Sequence, residues 1–503
     1  MNRNSYIEKL LSWSGSSRRK PLILEGARQV GKTWLMREFA RTRYKNVVYV
    51  RFDKDKLLRR IFDADFDVER IVHELEIAKH VKVKPETTIL LFDEIQACKN
   101  ALTSLKYFAE DRPDIPIIAA GSLLGLEYRD DEEDGHPKDA DEDVTTGFPV
   151  GKVDTLKVYP LTFAEYLEAM GEEALLAEIR QGNWATLATF HDRLADMVRH
   201  YYVIGGMPEV VSAYVENRDF QEVRRLQRSI LADYRRDFAK HAPKGDVRKI
   251  GMVWDSIPAQ LSKENKKFMY ADVKPHGRSG EFRDPLEWLT GAGLIYKVQR
   301  AKLPKLPLAS YADAAFKVYM LDVGLLAAMS DLDPAVILDA PRIFQEFKGA
   351  LTEQYVHQQL IAQTELKPYY WSTEDSQVEV DFIFQQGRRV CPLEAKAEDN
   401  VRSKSLKAYE RRFFPERAYR VSMKPRIVQQ VPLENGRVCE LVNIPLYAIG
   451  LQDRGLGVGL AAEESDCLDW RAEGPVLRAG SARGHGGIDV DGGGEERGRQ
   501  DEK

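Results

Sequence analysis

The clearest chemistry in this 503-residue chain lies in eight residues near its N-terminus, which read G-A-R-Q-V-G-K-T. This is the spacing G-x-x-x-x-G-K-T, in which two glycines let successive backbone N–H groups face a phosphate. Lys32 is expected to reach the β- and γ-phosphates of ATP, and the Thr33 hydroxyl to hold Mg²⁺. The predicted nucleotide-binding residues are Gly26, Ala27, Arg28, Gln29, Val30, Gly31, Lys32 and Thr33.

Two carboxylates and a hydroxyl follow apolar runs further along the chain. Asp93 and Glu94 end the run 87–94, and Ser122 comes just after the run 115–120. We expect Asp93 to hold Mg²⁺ through the water shell of the ion and Glu94 to polarise the attacking water. Ser122 is a candidate sensor of the γ-phosphate, and its alternative role is that of a simple turn serine.

These residues need a parallel sheet to bring them together. An apolar run at 21–25 precedes the glycine motif, helical apolar spacing follows at 34–40, and a further strand is predicted at 46–52. Strands that alternate with helices predict an α/β fold with its ligand at the carboxyl ends of the strands. The motif is therefore interpreted as a P-loop.

A second group of charged residues lies near the C-terminus. Glu353 falls in the helical stretch 347–364, Asp381 in a predicted strand, and Glu394 and Lys396 alternate in the next strand. Since residues i and i+2 share a strand face, two hairpin-linked strands can bring the last three together. The order resembles the PD-(D/E)XK nuclease signature, in which carboxylates bind Mg²⁺ and a lysine orients water. The alternative is a structural ion-pair cluster in a binding platform.

Two segments lie between these groups of residues: the first is predicted to be helical, and the second to combine helices with a β-hairpin. Amphipathic helices run from about 155 to 240, and Arg235 and Arg236 are candidates to neutralise γ-phosphate charge. The alternative is that these arginines pair with Asp233 or Asp237 at the surface. Helices followed by a β-hairpin at 247–330 suggest a winged helix, which would contact either DNA or a protein. Its basic residues are Lys263, Lys266, Lys267, Lys274, His276, Arg278 and Arg283.

The composition narrows the class of protein. Hydrophobic residues make up 43% and charged residues 30% of the chain, and the formal net charge is −5, so it is not a globally basic nucleic-acid binder. The four cysteines show no C-x-x-C spacing, which favours a reducing compartment without structural zinc. Neither a signal peptide nor an apolar run of membrane-spanning length is recognised. We expect a cytoplasmic protein without membrane contact.

Several motifs together resemble one prokaryotic family. They are L-L-F-D-E-I-Q at 90–96, A-G-S-L-L-G at 120–125, the run 151–167, G-G-M-P-E at 205–209 and the run 316–326. The family is that of AAA-type P-loop ATPases fused to a C-terminal domain of unknown function with a restriction-endonuclease-like, PD-(D/E)XK fold. The resemblance covers about residues 1–451 and implies binding and hydrolysis of ATP, together with Mg²⁺.

The resemblance also implies a domain order. The expected parts are a P-loop ATPase core at 1–154, a helical lid at 155–245, a winged-helix-like domain at 246–335, a PD-(D/E)XK-like domain at 336–451 and a disordered tail at 452–503. The acidic stretch 129–143 departs from the family pattern and is predicted to be a disordered surface insertion.

Three functions follow as hypotheses. The first is a Mg²⁺-dependent AAA-type ATPase that couples turnover to the C-terminal module. The second is an ATP-regulated DNA nuclease or DNA-processing factor. The third is a nucleotide-dependent switch that binds a partner protein with little turnover. The AAA resemblance adds a homo-oligomer as an expectation.

Overall fold

The predicted parallel sheet is present, and it has five strands. The computed structural model describes residues 3–122, 124, 148–339, 345–397 and 404–451, all within one compact unit, Met1–Val458. The strands are β1 (Leu22–Glu25), β2 (Asn46–Arg51), β3 (Thr88–Asp93), β4 (Ile117–Ala120) and β5 (Asp154–Lys157). They pair in the order β2-β3-β4-β1-β5, and every pairing is parallel. The stretch 129–143 and the tail 452–503 lie outside the described residues.

Helices cover both faces of this sheet. They are α1 (Asn4–Gly15), α2 (Lys32–Arg43), α3 (Lys56–Asp63), α4 (Val68–Lys79) and α5 (Lys99–Asp111). Leu22 and Leu24 of β1 pack with α1 and α2, whereas Ile23 packs with α3, α4 and α5 on the opposite face. This alternation follows from the two-residue period of a strand, and burial on both faces explains why all six residues of β3 are buried.

The stretch after β5 is helical, as its amphipathic pattern predicts. The helices are α6 (Phe163–Ala169), α7 (Glu173–Gln181), α8 (Trp184–Thr189), α9 (His191–Ile204), α10 (Pro208–Asn217) and α11 (Phe220–His241). A capping box between Thr162 and Glu165 starts α6, and Pro208 occupies the first turn of α10.

The rest of the chain alternates between groups of helices and groups of strands. The helices are α12 (Val247–Leu261), α13 (Tyr270–Val273), α14 (Ser279–Gly291), α15 (Val323–Met329), α16 (Pro334–Asp339), α17 (Gln345–Gln363) and α18 (Lys404–Phe413). The strands are β6 (Ile295–Ala301), β7 (Ala312–Met320), β8 (Tyr369–Ser372), β9 (Glu379–Gln386), β10 (Arg389–Ala395), β11 (Arg417–Ser422), β12 (Ile427–Pro432) and β13 (Val438–Pro445).

These eight strands form one mixed sheet in the order β12-β13-β11-β10-β9-β8-β6-β7. The antiparallel hairpin β6–β7, predicted as the wing of a separate domain, continues the C-terminal sheet through a bridge between Arg300 and Tyr370. The predicted hairpin β9–β10 is also present. No helix in the described parts of the chain is long and apolar enough to cross a membrane.

Candidate functional site

The loop between β1 and α2 has the strained backbone that its glycines permit. Gly26 has φ of 137° and Gly31 has φ of 92°, both in the region that favours glycine. A Cβ atom at Gly26 would clash with the carbonyl oxygen of Val158, so a side chain there has no room. Gln29 also has a positive φ, of 66°, which completes a tight turn ahead of α2.

The Lys32 side chain folds back into this loop. Its Nζ donates to the carbonyl oxygens of Gly26 and Ala27, each at 2.7 Å. Burial lowers the pKa of Lys32 to about 8, and the nearby carboxylates of Glu94 and Asp93 oppose this shift. The ammonium group therefore lies within the loop, close enough to the carboxylates at the end of β3 to interact with them electrostatically.

Thr33 and Asp93 meet at the point predicted for a magnesium ion. The Thr33 hydroxyl lies 3.1 Å from each carboxylate oxygen of Asp93. Tyr49 of β2 donates its phenol O–H to Asp93 at 2.6 Å, and burial raises the pKa of Asp93. Tyr49 was not singled out from the sequence, although its place near the carboxyl end of a neighbouring strand is a usable signal.

Glu94 and Ser122 also lie together, and a third side chain joins them. Glu94 follows β3 in a left-handed turn, with φ of 52°. Gln96 donates its amide Nε2 to Glu94 Oε2 at 2.5 Å and to Ser122 Oγ at 3.3 Å. The β3–β4 pairing sets Asp93 opposite Ala120, which brings the ends of these strands side by side. Gln96 belongs to the quoted motif L-L-F-D-E-I-Q, but no role was predicted for it.

Helix α11 contacts the tip of the P-loop. Arg28 forms an ion pair with Asp237, and Gln29 Nε2 donates to Asp233 Oδ2 at 3.1 Å. The Tyr234 hydroxyl donates to the Arg28 carbonyl oxygen at 2.9 Å. Three side chains, spaced one to four residues apart on one helix, thus hold two consecutive loop residues.

The two candidate arginines of α11 form ion pairs with aspartates instead. Arg235 pairs with Asp255, and Arg236 pairs with Asp233 on its own helix. The guanidinium groups are about half and three-quarters exposed, respectively. Of the predicted surface pairs, Arg236–Asp233 is present, whereas Arg235 pairs with Asp255 and Asp237 pairs with Arg28.

A buried arginine supports the loop from its other side. Arg3 is 2% exposed, and its guanidinium donates to the carbonyl oxygens of Val30 and Tyr159, both at 2.8 Å. It also pairs with Glu165, whose side chain belongs to the capping box of α6. This residue ties the P-loop to the segment after β5.

The motif G-G-M-P at 205–208 packs against a buried aspartate. Asp322 accepts hydrogen bonds from the Gly206 backbone N–H at 2.6 Å and from Gln358 Nε2 at 3.1 Å. A Cβ atom at Gly205 would overlap the Asp322 carboxylate, so this approach requires glycine. Burial raises the pKa of Asp322. The contact joins the helices after β5 to the region of the second sheet.

The C-terminal charged residues form one cluster, with additional members. Lys317 of β7 is fully buried, and its Nζ lies 2.8 Å from Glu353 Oε1 and 2.6 Å from Glu379 Oε1. Lys266 and the Tyr319 hydroxyl also bond to the Glu353 carboxylate. The lysines lower the pKa of Glu353 despite the opposing effect of its burial.

The predicted trio lies beside this centre. Asp381 accepts from the Ala395 backbone N–H at 2.8 Å, and its other oxygen lies 4.0 Å from Lys317 Nζ. Lys396 Nζ lies 2.7 Å from Glu394 Oε1. Asp381 and Glu353 interact electrostatically with Lys396, so the four predicted residues share one polar region. Among the described residues, no group of three or more histidine, cysteine or carboxylate side chains is placed to hold a metal ion.

The predicted basic surface of the middle segment needs a correction. Lys266 is largely buried against Glu353 and is unavailable to a phosphate backbone. Lys263 pairs with Asp272 at 2.6 Å, and Lys274 pairs with Glu281 at 2.9 Å. Three of the seven predicted basic residues thus have carboxylate partners within the chain.

Three family models match separate parts of the chain. Residues 18–167 match an AAA domain, residues 195–336 a domain of unknown function (DUF8612), and residues 348–447 another domain of unknown function (DUF4143). The match over residues 18–167 agrees with the predicted P-loop domain and with the parallel sheet. No curated protein matches the chain.

Several solved structures show a remote likeness. The Walker-type ATPase PABY2304 of Pyrococcus abyssi is 14% identical, with a TM-score of 0.41, over 65% of this chain and 95% of that chain. The Aeropyrum pernix Orc1 protein in complex with DNA is 13% identical, with a TM-score of 0.25, over 67% and 93%. The C. elegans protein PCH-2 is 17% identical, with a TM-score of 0.19, over 35% and 46%.

Proposed function

We propose that the chain is a Mg²⁺-dependent ATPase whose catalytic centre lies between the P-loop and the carboxyl ends of β3 and β4. The observation that carries this proposal is the meeting of Thr33 with Asp93, 3.1 Å apart, beside Lys32 and Glu94. It combines a hydroxyl, two carboxylates and an ammonium group next to a loop of P-loop geometry.

The residues present suit ATP and magnesium. Oxygen ligands are those that Mg²⁺ prefers, and such an ion needs only one or two protein side chains besides phosphate and water. Thr33 and Asp93 would hold it, and when bound it would neutralise charge that develops on the phosphate oxygens. Lys32 would leave the loop carbonyls for the β- and γ-phosphates. Glu94 would accept a proton from the attacking water, and Ser122 would contact the γ-phosphate.

Coupling to the rest of the chain is part of the proposal. The Arg28–Asp237 and Gln29–Asp233 contacts connect the loop to α11, and Asp322 connects the neighbouring helices to the second sheet. Because α11 would move with the loop, nucleotide turnover would change the packing of the C-terminal module. This module would bind a partner, either a protein or DNA, and homo-oligomers are compatible with that role.

The ion-pair cluster favours a binding platform over a nuclease. In a PD-(D/E)XK centre, the positive charge among the carboxylates is a metal ion. Here the Lys317 ammonium lies among Glu353, Glu379 and Asp381 and already supplies that charge. We therefore propose that Glu353, Asp381, Glu394 and Lys396 stabilise the domain. Metal-dependent DNA cleavage that is lost in Asp381→Ala and Lys396→Ala would support the nuclease alternative instead.

The test of the ATPase is phosphate release from the purified chain with Mg²⁺-ATP, with and without double-stranded DNA. We expect turnover in the wild type, loss of nucleotide binding in Lys32→Ala, and loss of turnover with retained binding in Glu94→Gln. Turnover by Lys32→Ala equal to the wild type would refute the site. Stimulation by DNA would identify the partner class as DNA, whereas indifference to DNA would favour a protein.

A further inference from the structure

Gln96 occupies an unusual place between two residues of the proposed centre. It lies in the short 3₁₀ helix Ile95–Ala97, directly after Glu94. Its Nε2 atom donates to Glu94 Oε2 at 2.5 Å and to Ser122 Oγ at 3.3 Å. Ser122 Oγ is itself 3.5 Å from the same carboxylate oxygen. One amide group therefore spans the ends of β3 and β4.

The chemistry of the partners defines which end of the amide faces them. An ionised carboxylate only accepts hydrogen bonds, so the NH₂ end of Gln96 must face Glu94. The Oε1 atom is then buried without a hydrogen-bond partner among the described residues. It lies against Gly121, where a Cβ atom would come within 2.5 Å of it.

This orientation has an energetic cost. A buried acceptor without a partner lowers stability, and natural folds seldom retain one where only stability is at stake. An apolar side chain of similar size would avoid that cost but would leave Glu94 without its amide donor. The Gln96 side chain therefore orients the Glu94 carboxylate at the expense of some stability.

Resting on the ATPase function proposed above, we propose that Gln96 is a positioning residue for the Glu94 carboxylate. The Gln96 amide holds Glu94 Oε2 on the Ser122 side of the centre. The other carboxylate oxygen, Glu94 Oε1, is then left to accept the hydrogen bond of the attacking water. Because the same amide contacts Ser122, any displacement of that hydroxyl by the γ-phosphate changes the hold on Glu94. Gln96 acts through Glu94 and does not itself take part in proton transfer.

The test is a double-mutant cycle on the full chain, with steady-state phosphate release measured over a range of Mg²⁺-ATP concentrations. The variants are Gln96→Ala, Gln96→Glu, Glu94→Gln and the double variant Glu94→Gln/Gln96→Ala. Gln430→Ala, an exposed glutamine on β12, is the matched control. Thermal unfolding of each variant reports whether the fold is retained.

We expect Gln96→Ala to lower kcat about 10-fold or more, with KM within about two-fold of the wild type, because substrate contacts are unchanged. Gln96→Glu keeps the shape but places a second carboxylate beside Glu94, so its kcat should fall at least as far. The double variant should be no slower than Glu94→Gln, since residues that act through one group are not additive.

The outcomes separate this inference from the ATPase itself. A wild type without turnover would overturn both. Turnover lost in Glu94→Gln but kept in Gln96→Ala and Gln96→Glu would overturn only the role of Gln96. An additive loss in the double variant would also overturn it, because a structural effect adds to the loss of the base. If Gln96→Ala does not fold, the isosteric Gln96→Glu decides: full kcat overturns the inference, and loss with unchanged KM supports it.

Discussion

Arg28, inside the P-loop, forms an ion pair with Asp237 near the end of α11, 209 positions later in the chain. Burial raises the pKa of the Asp237 carboxyl, and the Arg28 guanidinium opposes that shift. The pair makes α11 a direct contact of the nucleotide loop. A change of loop conformation therefore reaches α11 without an intermediate element.

The first prediction concerns this contact. In the wild type, a non-hydrolysable ATP analogue should slow amide hydrogen exchange in α11, because an ordered loop holds the helix through Arg28. In Asp237→Ala this protection should be clearly smaller, whereas stability should change by less than about 1 kcal/mol because Arg28 is partly exposed. Hydrogen exchange followed by mass spectrometry measures both states. Asp331→Ala removes an exposed pair with Arg228 of the same helix and should leave the protection unchanged.

The second prediction concerns Lys317. Replacement by methionine keeps most of the aliphatic stem but removes the buried ammonium group that Glu353 and Glu379 share, and Glu353 then keeps Lys266 as an ion-pair partner. Breaking a buried ion pair in this way costs about 3–5 kcal/mol. Urea unfolding should therefore show a large loss of stability in Lys317→Met.

A matched control is Arg389→Ala, which removes an ion pair with Glu416 at the surface. It should change stability by only about 0–1 kcal/mol. Equal stability of Lys317→Met and the wild type would contradict a structural role of the cluster.

The third prediction concerns the pH dependence of stability. Burial lowers the pKa of His357 from 6.5 to about 3, so this residue stays neutral in the folded chain over most of the acid range. The unfolded chain takes up a proton on His357 below about pH 6.5. The stability that depends on neutral His357 is therefore fully present above pH 6.5. As the pH falls from 6.5 towards 3, the free energy of unfolding decreases by about 1.4 kcal/mol for each pH unit.

His357→Phe tests this contribution with little change of packing. The ring of His357 is stacked on Tyr319, with centroids 4.4 Å apart, and phenylalanine can take the same place. Urea unfolding between pH 4 and 7 should show a shallower acid loss in this variant than in the wild type. Parallel pH profiles of the two proteins would refute the burial of a neutral histidine.

Local patterns predicted the parts of the molecule that depend on short spacings. The G-x-x-x-x-G-K-T motif, the apolar strand before Asp93 and the i, i+2 alternation of Glu394 and Lys396 are each contained in a few residues. The parallel sheet and the β9–β10 hairpin followed from them. The predicted charged residues near the C-terminus do share one region, because strand alternation and a hairpin suffice to bring them together.

Contacts between distant segments could not be predicted in this way. Lys317 lies in the quoted run 316–326, but no role was predicted for it, because its ion pairs depend on the packing of α17 against β7. The contacts of Asp233 and Asp237 with the loop depend on how α11 docks, which no periodicity encodes. Similarly, the residue pattern of β6 and β7 predicted a hairpin, but it did not indicate that β6 would pair with β8.

The fourth prediction concerns the contact between the G-G-M-P motif and its neighbours. Gly206 donates to Asp322, and a Cβ atom at this position would clash with the carbonyl oxygen of Leu161. Because that obstacle is backbone, Gly206→Ala should lower the free energy of unfolding by about 1–3 kcal/mol or more. Gly251→Ala is the control, since no atom lies near a Cβ at that helical position, and it should raise stability by about 0.5–1 kcal/mol. Thermal and urea unfolding measure both changes. If the two alanine variants were equally stable, the close approach of Gly206 to Leu161 would be refuted.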